Sequence, residues 1–87
     1  MPVDNNRKQE FCKAFGRHFR KLREEKGYGM REFAKMAEIE YSQLSKIERG
    51  VTNPTISTVL VLANALGASH HELFNFKFPA RQSKEKL

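Results

Sequence analysis

The sequence has no tryptophan, three prolines and a single cysteine, Cys12. One cysteine cannot form an internal disulfide, and one thiol is too few for a structural zinc site. No apolar run approaches the roughly 20 residues that a membrane-spanning helix needs. The N-terminal stretch "MPVDNNRKQE" has no hydrophobic run, so we do not expect a signal peptide. These absences favour a protein of the reducing cytoplasm that has no membrane partner.

Side chains that could converge on a catalytic centre are also scarce. His70 and His71 are adjacent and point apart on a helix, and His18 lies in a different predicted helix, so the three do not have metal-ligand spacing. No glycine-rich phosphate loop occurs. We therefore expect neither an enzyme nor a bound metal or cofactor, and no small-molecule effector is evident.

The 87 residues are enough for one domain with a single core. The net charge of +6 suggests a polyanionic partner, but the excess charge is concentrated at the ends of the chain. Residues 77–87 carry a net charge of +3, whereas residues 9–76 carry only +2. We expect an N-terminal arm over residues 1–10, a folded domain over residues 11–76 and a basic, flexible C-terminal tail over residues 77–87.

Apolar residues recur at helical spacing through the first half of the chain. Phe11, Phe15, Phe19 and Leu22 lie on one face of a first helix, which should end at Gly27. A second, short helix is predicted to begin at residue 29 or 30. A third is predicted to follow residue 40 and to end at residue 50.

Two further helices are predicted after the turn "VTNP". Thr55 is a suitable N-cap for a fourth helix, which should end at Gly67. The stretch "SHHE", from Ser69 to Glu72, has the pattern of a capping box and should open a one-turn fifth helix. The alternation of aromatic residues in "LFNFKF" leaves a short extended piece possible, but no convincing strand is present. The predicted fold class is therefore all-α.

The second and third helices are close enough to form a helix-turn-helix. Ala34 is small enough for the helices to cross closely, and Ile39 should fill the corner. If Leu44 and Ile47 are buried, helical geometry turns a polar face of the third helix outward. Its hydroxyl, amide and cationic groups suit DNA bases and phosphates, although any surface helix has a polar outer face.

Residues 22–74 resemble the phage Cro and lambda-repressor type of DNA-binding domain, often called the XRE family. Six stretches carry the resemblance: "LREEKG", the Phe33–Ala34 pair, "SKIERG", "NPT", "LANALG" and "HELF". Each is weak alone, but their order and spacing are specific. The resemblance implies a compact five-helix bundle whose helices 2 and 3 form the helix-turn-helix. It also implies a sequence-specific, double-stranded DNA-binding transcriptional regulator.

Such a regulator is expected to place its recognition helix, residues 41–49, in the major groove and to act as a homodimer on a palindromic operator. The resemblance also implies a buried ion pair between Arg23 and Glu48. A possible dimer surface consists of Val61, His70, Phe74, Phe76 and Phe78, unless these side chains merely cover the core. The positions expected to contact DNA are Met30, Arg31, Glu40, Tyr41, Ser42, Gln43, Ser45, Lys46, Arg49, Thr52 and Asn53.

Four residues of the motif depart from the family pattern, and the first is Gly29, a weaker cap than the serine that often precedes the second helix. Met30 replaces a glutamine that usually reaches phosphate and braces the recognition residue, Glu38 replaces a turn glycine, and Glu40 replaces a serine N-cap. Residues 30–50 carry four basic and four acidic side chains, so the motif is neutral. These departures leave an alternative open, namely a protein-interaction module of the same fold, such as an antitoxin or adaptor with weak or no DNA readout.

Overall fold

The computed structural model describes residues 2–80. These residues form five helices and no strand, which confirms the all-α prediction. No helix in this part of the chain is long and apolar enough to cross a membrane. The helices are α1 (Asn5–Glu25), α2 (Met30–Ala37), α3 (Tyr41–Glu48), α4 (Ile56–Leu66) and α5 (His70–Leu73).

A single core joins the five helices and fixes the position of α3. The rings of Phe19 and Phe33 meet edge to face, 5.3 Å apart, and so join α1 to α2. Apolar side chains buried in this way are the main source of stability in a domain of this size. The large side chains with essentially no exposure are Phe19, Phe33, Leu44, Ile47, Leu62 and Leu73.

Side-chain caps mark where several of the helices begin. Thr55 Oγ1 accepts a hydrogen bond from the backbone N–H of Thr58, as its place before α4 predicted. Ser69 and Glu72 form both hydrogen bonds of the predicted capping box at α5. The boundaries of α4 and α5 therefore follow from local chemistry that is visible in the sequence.

The start of α1 differs from the sequence-based expectation. Asp4 Oδ1 accepts a hydrogen bond from the backbone N–H of Arg7 at 2.8 Å and caps the helix there. Residues 5–10, predicted to be an arm, are therefore the first turns of α1. The expected boundary at residue 11 is thus corrected to a helix start at Asn5.

An aromatic segment that follows α5 stabilises these extra turns. The ring of Phe78 lies 5.0 Å from that of Phe11 in an edge-to-face arrangement, and Phe76 lies 5.6 Å from the same ring. The guanidinium of Arg7 lies 4.7 Å over Phe78 and also donates to the carbonyl oxygen of Pro79. Phe78 and Pro79, which belong to the predicted flexible tail, thus contact α1, and residues 81–87 of that tail lie outside the described residues.

A buried ion pair connects α1 to the last residue of α3. Arg23 Nε donates to Glu48 Oε2 at 2.7 Å and Arg23 Nη2 donates to Glu48 Oε1 at 2.9 Å. Arg23 Nη1 donates to the carbonyl oxygen of Tyr28 at 2.7 Å. The hydrogen bond with Glu48 raises the pKa of Arg23 above its ordinary value, although burial opposes this shift. The pair occupies the positions that the family resemblance implied.

Candidate nucleic-acid interface

A three-residue turn sets α3 against α2. The backbone N–H of Ile39 donates to the carbonyl oxygen of Ala34 at 3.0 Å, and the Ile39 side chain packs against the core. Glu38 adopts the left-handed conformation, with φ 57° and ψ 44°. It is the one non-glycine residue of the described chain with a positive φ. A side chain with a Cβ is strained there by roughly 1 kcal/mol, so the turn keeps its shape at a cost in stability.

Replacing Glu38 by glycine is therefore expected to raise the free energy of unfolding by about 1 kcal/mol, because glycine adopts this conformation without strain. Urea denaturation of the wild type and the variant measures the change. The matched control is Glu32→Gly, which removes an exposed carboxylate from the regular part of α2 and should lower stability by about 1 kcal/mol. Destabilisation by both substitutions contradicts the left-handed assignment.

Helix α3 has one buried and one exposed face. Leu44, Ile47 and Glu48 are buried, and Ser45 is half-buried. This division follows the helical period, and it makes α3 a helix held by its inner side with its polar side presented to solvent. The exposed side chains are Tyr41, Ser42, Gln43, Lys46 and Arg49.

A shallow groove of about 330 Å³ runs between α3 and the loop that leads to α4. From α3 it is lined by Ser42, Gln43 and Lys46, and from the loop by Thr52 and Asn53. Hydroxyl, amide and ammonium groups that donate hydrogen bonds thus share one exposed surface. Because Glu40 also lines this groove, the structure brings together six of the residues that sequence reasoning assigned to DNA contact.

Arg49 and Ser45 are linked to each other on this face. Arg49 Nε donates to Ser45 Oγ at 3.1 Å across one turn of helix. Because this bond engages the Ser45 hydroxyl, Ser45 orients the guanidinium in the free protein. The remaining N–H groups of Arg49 can meet a phosphate, which suits the end of the helix better than a base edge.

Met30 and Arg31, the first residues of α2, differ in their surroundings. The side chain of Met30 packs against the core, so it is not directed outward as a contact residue would be. Its place at the helix start still leaves backbone N–H groups available to an anion. Arg31 is exposed, and its guanidinium lies 4.8 Å from the centre of the Tyr41 ring. Sequence reasoning missed this contact between α2 and α3.

Glu40 is the N-cap residue of α3, but its side chain makes no capping hydrogen bond. Its carboxylate is exposed at the positive end of the helix dipole and lines the groove. Because Arg23 neutralises the buried Glu48, the exposed charges of residues 30–50 are four cations and three carboxylates. The face is therefore only slightly basic.

The five residues of the possible dimer surface do not form one strip. Phe76 and Phe78 are half-buried against α1, as expected if these aromatic residues cover the bundle. Val61, His70 and Phe74 are exposed. Phe74 does remain next to an open apolar surface, because its ring lies over α1 beside the start of α4.

The most exposed apolar residues of α4 were not singled out by sequence reasoning. Ile56 is 89% exposed and Leu60 is 64% exposed. Ile56 and Phe74 line a groove of about 130 Å³, together with Val59 and Phe11. Successive helix residues differ by about 100° in direction, so Val61 points away from Leu60.

Comparison with known proteins shows which family shares this sequence and geometry. The sequence model of the helix-turn-helix family matches residues 19–73 of this chain. The chain is 44% identical over 61 residues to the uncharacterized HTH-type transcriptional regulator y4dJ of Sinorhizobium fredii, covering 70% of this chain and 79% of that protein. It is 40% identical over 63 residues to the HTH-type transcriptional regulator SinR of Bacillus licheniformis, covering 71% of this chain and 57% of that protein.

Two solved structures share the fold. The restriction-modification controller protein C.AhdI from Aeromonas hydrophila matches with a TM-score of 0.71 and 33% identity, covering 72% of this chain and 96% of that one. The clp gene regulator ClgR from Corynebacterium glutamicum matches with a TM-score of 0.71 and 27% identity, covering 85% and 87%. These relatives confirm the resemblance found in the sequence and the expectation that the protein is not an enzyme. This chain therefore belongs to the helix-turn-helix family of DNA-binding transcriptional regulators.

Proposed function

We propose that the protein recognises a specific double-stranded DNA sequence by placing α3 in the major groove. The observation that carries this proposal is the groove in which Ser42, Gln43 and Lys46 of α3 lie beside Thr52 and Asn53. A helix braced on its inner side, with polar residues at its start, has the geometry of a recognition helix. Because the partner is DNA, we also propose a cytoplasmic location.

The roles of these residues follow from their chemistry. Ser42 and Gln43, near the start of α3, are suited to base edges, where a glutamine amide can both donate to and accept from adenine. Lys46 also faces the groove, and its ammonium can donate to a guanine or a phosphate. Arg49 and Asn53 are suited to phosphates, which set affinity without reading sequence.

Binding to duplex DNA should weaken steeply as salt rises, because phosphate contacts release counterions. Ser42→Ala should change the preferred sequence, whereas Arg49→Ala should weaken all sequences alike and reduce the salt slope by about one unit. Selection from a random duplex pool and salt titration of the bound sequences measure these effects. Arg20→Ala, which removes an exposed cation paired with Glu24 on α1, is the control and should change neither.

The same experiment separates the two functional hypotheses. If the wild-type protein shows no salt-dependent binding to any duplex in the pool, sequence-specific recognition is wrong. The remaining interpretation is then the protein-interaction module, an antitoxin or adaptor. If Ser42→Ala and Arg49→Ala have the same uniform effect, DNA binding stands but the division of roles fails.

We further propose that the protein acts as a homodimer on a palindrome, with half-sites about 34 Å apart. Ile56, Leu60 and Phe74 support this proposal because large apolar side chains that remain exposed are typical of an interaction surface. A two-fold axis would bring the same surface of two copies together. The surface lies on α4 and α5, so it leaves the polar face of α3 open to DNA.

Replacing Leu60 by glutamate should weaken dimerisation at least about ten-fold, because a charge would replace apolar contact at the interface. Sedimentation velocity over a concentration series measures the dissociation constant. Val61→Glu introduces the same charge in the next position of α4 and should leave the dimer intact. A stronger effect of the Val61 variant would move the interface to the other face of α4. A monomeric wild type contradicts the dimer.

A further inference from the structure

The first residue of the recognition helix is in contact with a cation from the preceding helix. The guanidinium carbon of Arg31 lies 4.8 Å from the centre of the Tyr41 ring, within the range of a cation–π interaction. Arg31 is the second residue of α2 and Tyr41 the first of α3, so the contact spans the turn. It joins the two helices on their exposed side, where the Tyr41 side chain is 44% exposed.

Met30 and Glu40, which precede Arg31 and Tyr41 in the chain, provide no polar contact to the Tyr41 side chain. The side chain of Met30 packs against the core. Glu40 makes no capping bond to α3. Among the described hydrogen bonds, none involves the Tyr41 hydroxyl. Among the aromatic and cation–π contacts of residues 2–80, the contact with Arg31 is the one that involves the Tyr41 ring.

The charge of Arg31 is also available to a ligand. The ion pairs within 4.0 Å that the structure describes join Arg20 to Glu24 and Arg23 to Glu48, and neither involves Arg31. A guanidinium can stack its flat face on an aromatic ring and still donate hydrogen bonds from its edge. A lysine ammonium lacks this flat face, so the two functions would not combine in a lysine.

We propose that Arg31 is a positioning residue for sequence recognition. The flat face of the Arg31 guanidinium holds the Tyr41 ring at the start of α3, while the edge of the guanidinium binds a phosphate of the DNA backbone. The base preference at the position that Tyr41 contacts then depends on Arg31, although Arg31 contacts no base. This inference rests on the proposed function, because it requires that α3 reads DNA.

The test compares Arg31→Ala, Arg31→Lys, Tyr41→Ala and the double alanine variant. Selection from a random duplex pool is expected to show that Arg31→Ala changes preference at the same base pairs as Tyr41→Ala. In a double-mutant cycle on the selected sequence, the two changes should couple by about two- to five-fold in the dissociation constant. Arg31→Lys should keep the salt dependence but weaken the coupling, because an ammonium cannot stack on the ring as a guanidinium does. Tyr41→Phe should retain the coupling, since it keeps the ring.

Two measurements keep the outcomes separate. Thermal unfolding of each variant establishes that it folds, and little change is expected because both side chains are exposed. In the free protein, the side-chain proton resonances of Arg31 should lose their ring-current shift in Tyr41→Ala. Additive effects of the two alanine substitutions, or full recovery by Arg31→Lys, would overturn the inference. If the wild type selects no sequence at all, it is the proposed function that fails.

Discussion

Replacing Glu48 by alanine is expected to lower the free energy of unfolding by about 3–5 kcal/mol. The Arg23 guanidinium would remain buried and charged, with the carbonyl oxygen of Tyr28 as its remaining partner. Both side chains of the pair are about 95% buried, so water cannot replace the lost carboxylate without opening the contact between α1 and α3. Urea denaturation, followed by circular dichroism of the helices, measures the change.

Helix α1 provides a matched control in an exposed ion pair. Arg20 Nε lies 3.1 Å from Glu24 Oε2, but both side chains are more than half exposed. Arg20→Ala should therefore cost no more than about 0.5 kcal/mol. The double substitution Arg23→Met with Glu48→Leu should cost less than Glu48→Ala alone, because it leaves no charge unpaired. Equal costs for Glu48→Ala and Arg20→Ala would contradict the burial of the pair.

The ion pair also changes the balance of exposed charges on the face proposed to bind DNA. By composition, residues 30–50 carry as many acidic as basic side chains. The buried pair removes Glu48 from the exposed count, so four cations face three carboxylates. A face with so small an excess attracts DNA weakly over long distances, and affinity must then depend on close contacts. Glu40 lines the groove proposed to meet DNA, where its carboxylate could accept a hydrogen bond from the amino group of cytosine or oppose non-specific binding.

Much of the fold could be predicted because its signals are local. Thr55, Ser69 and Glu72 cap helices through bonds that span three residues, and such bonds leave a pattern in the sequence. The start of α1 was not predicted, although Asp4 caps it through a bond of the same span. Its first turns are held in part by Phe76 and Phe78, which lie more than 60 residues further along the chain, and that packing leaves no periodic pattern.

In the candidate site, too, the features that depend on local spacing could be predicted, and those that depend on the packing of distant residues could not. The outer face of α3 follows from the spacing of Leu44 and Ile47, so its residues were predicted. The contact of Arg31 with Tyr41 depends on the angle between α2 and α3, which is set by the left-handed conformation of Glu38. The exposure of Ile56 could not be predicted, because α4 is apolar around much of its circumference. Such a pattern does not indicate which side is covered.

Replacing Gly50 by alanine is the second substitution with a large expected effect, a loss of about 2–4 kcal/mol in the free energy of unfolding. Two costs contribute. Gly50 has a φ of 73°, which strains any residue that carries a Cβ. A Cβ at this position would also lie 2.7 Å from the backbone nitrogen of Lys13 in α1, and backbone atoms cannot move aside without shifting the helix.

Gly67 separates these two costs. Its φ of 72° is nearly the same, but a Cβ there would meet nothing within 4 Å. Gly67→Ala should therefore cost only about 1 kcal/mol, and the difference between the two variants measures the close approach of α1 to the end of α3. Because Gly50 directly follows the recognition helix, its alanine variant should also bind DNA more weakly at temperatures where it is still folded. Equal losses of stability, with unchanged DNA affinity in both variants, would show that α1 does not fix the position of α3.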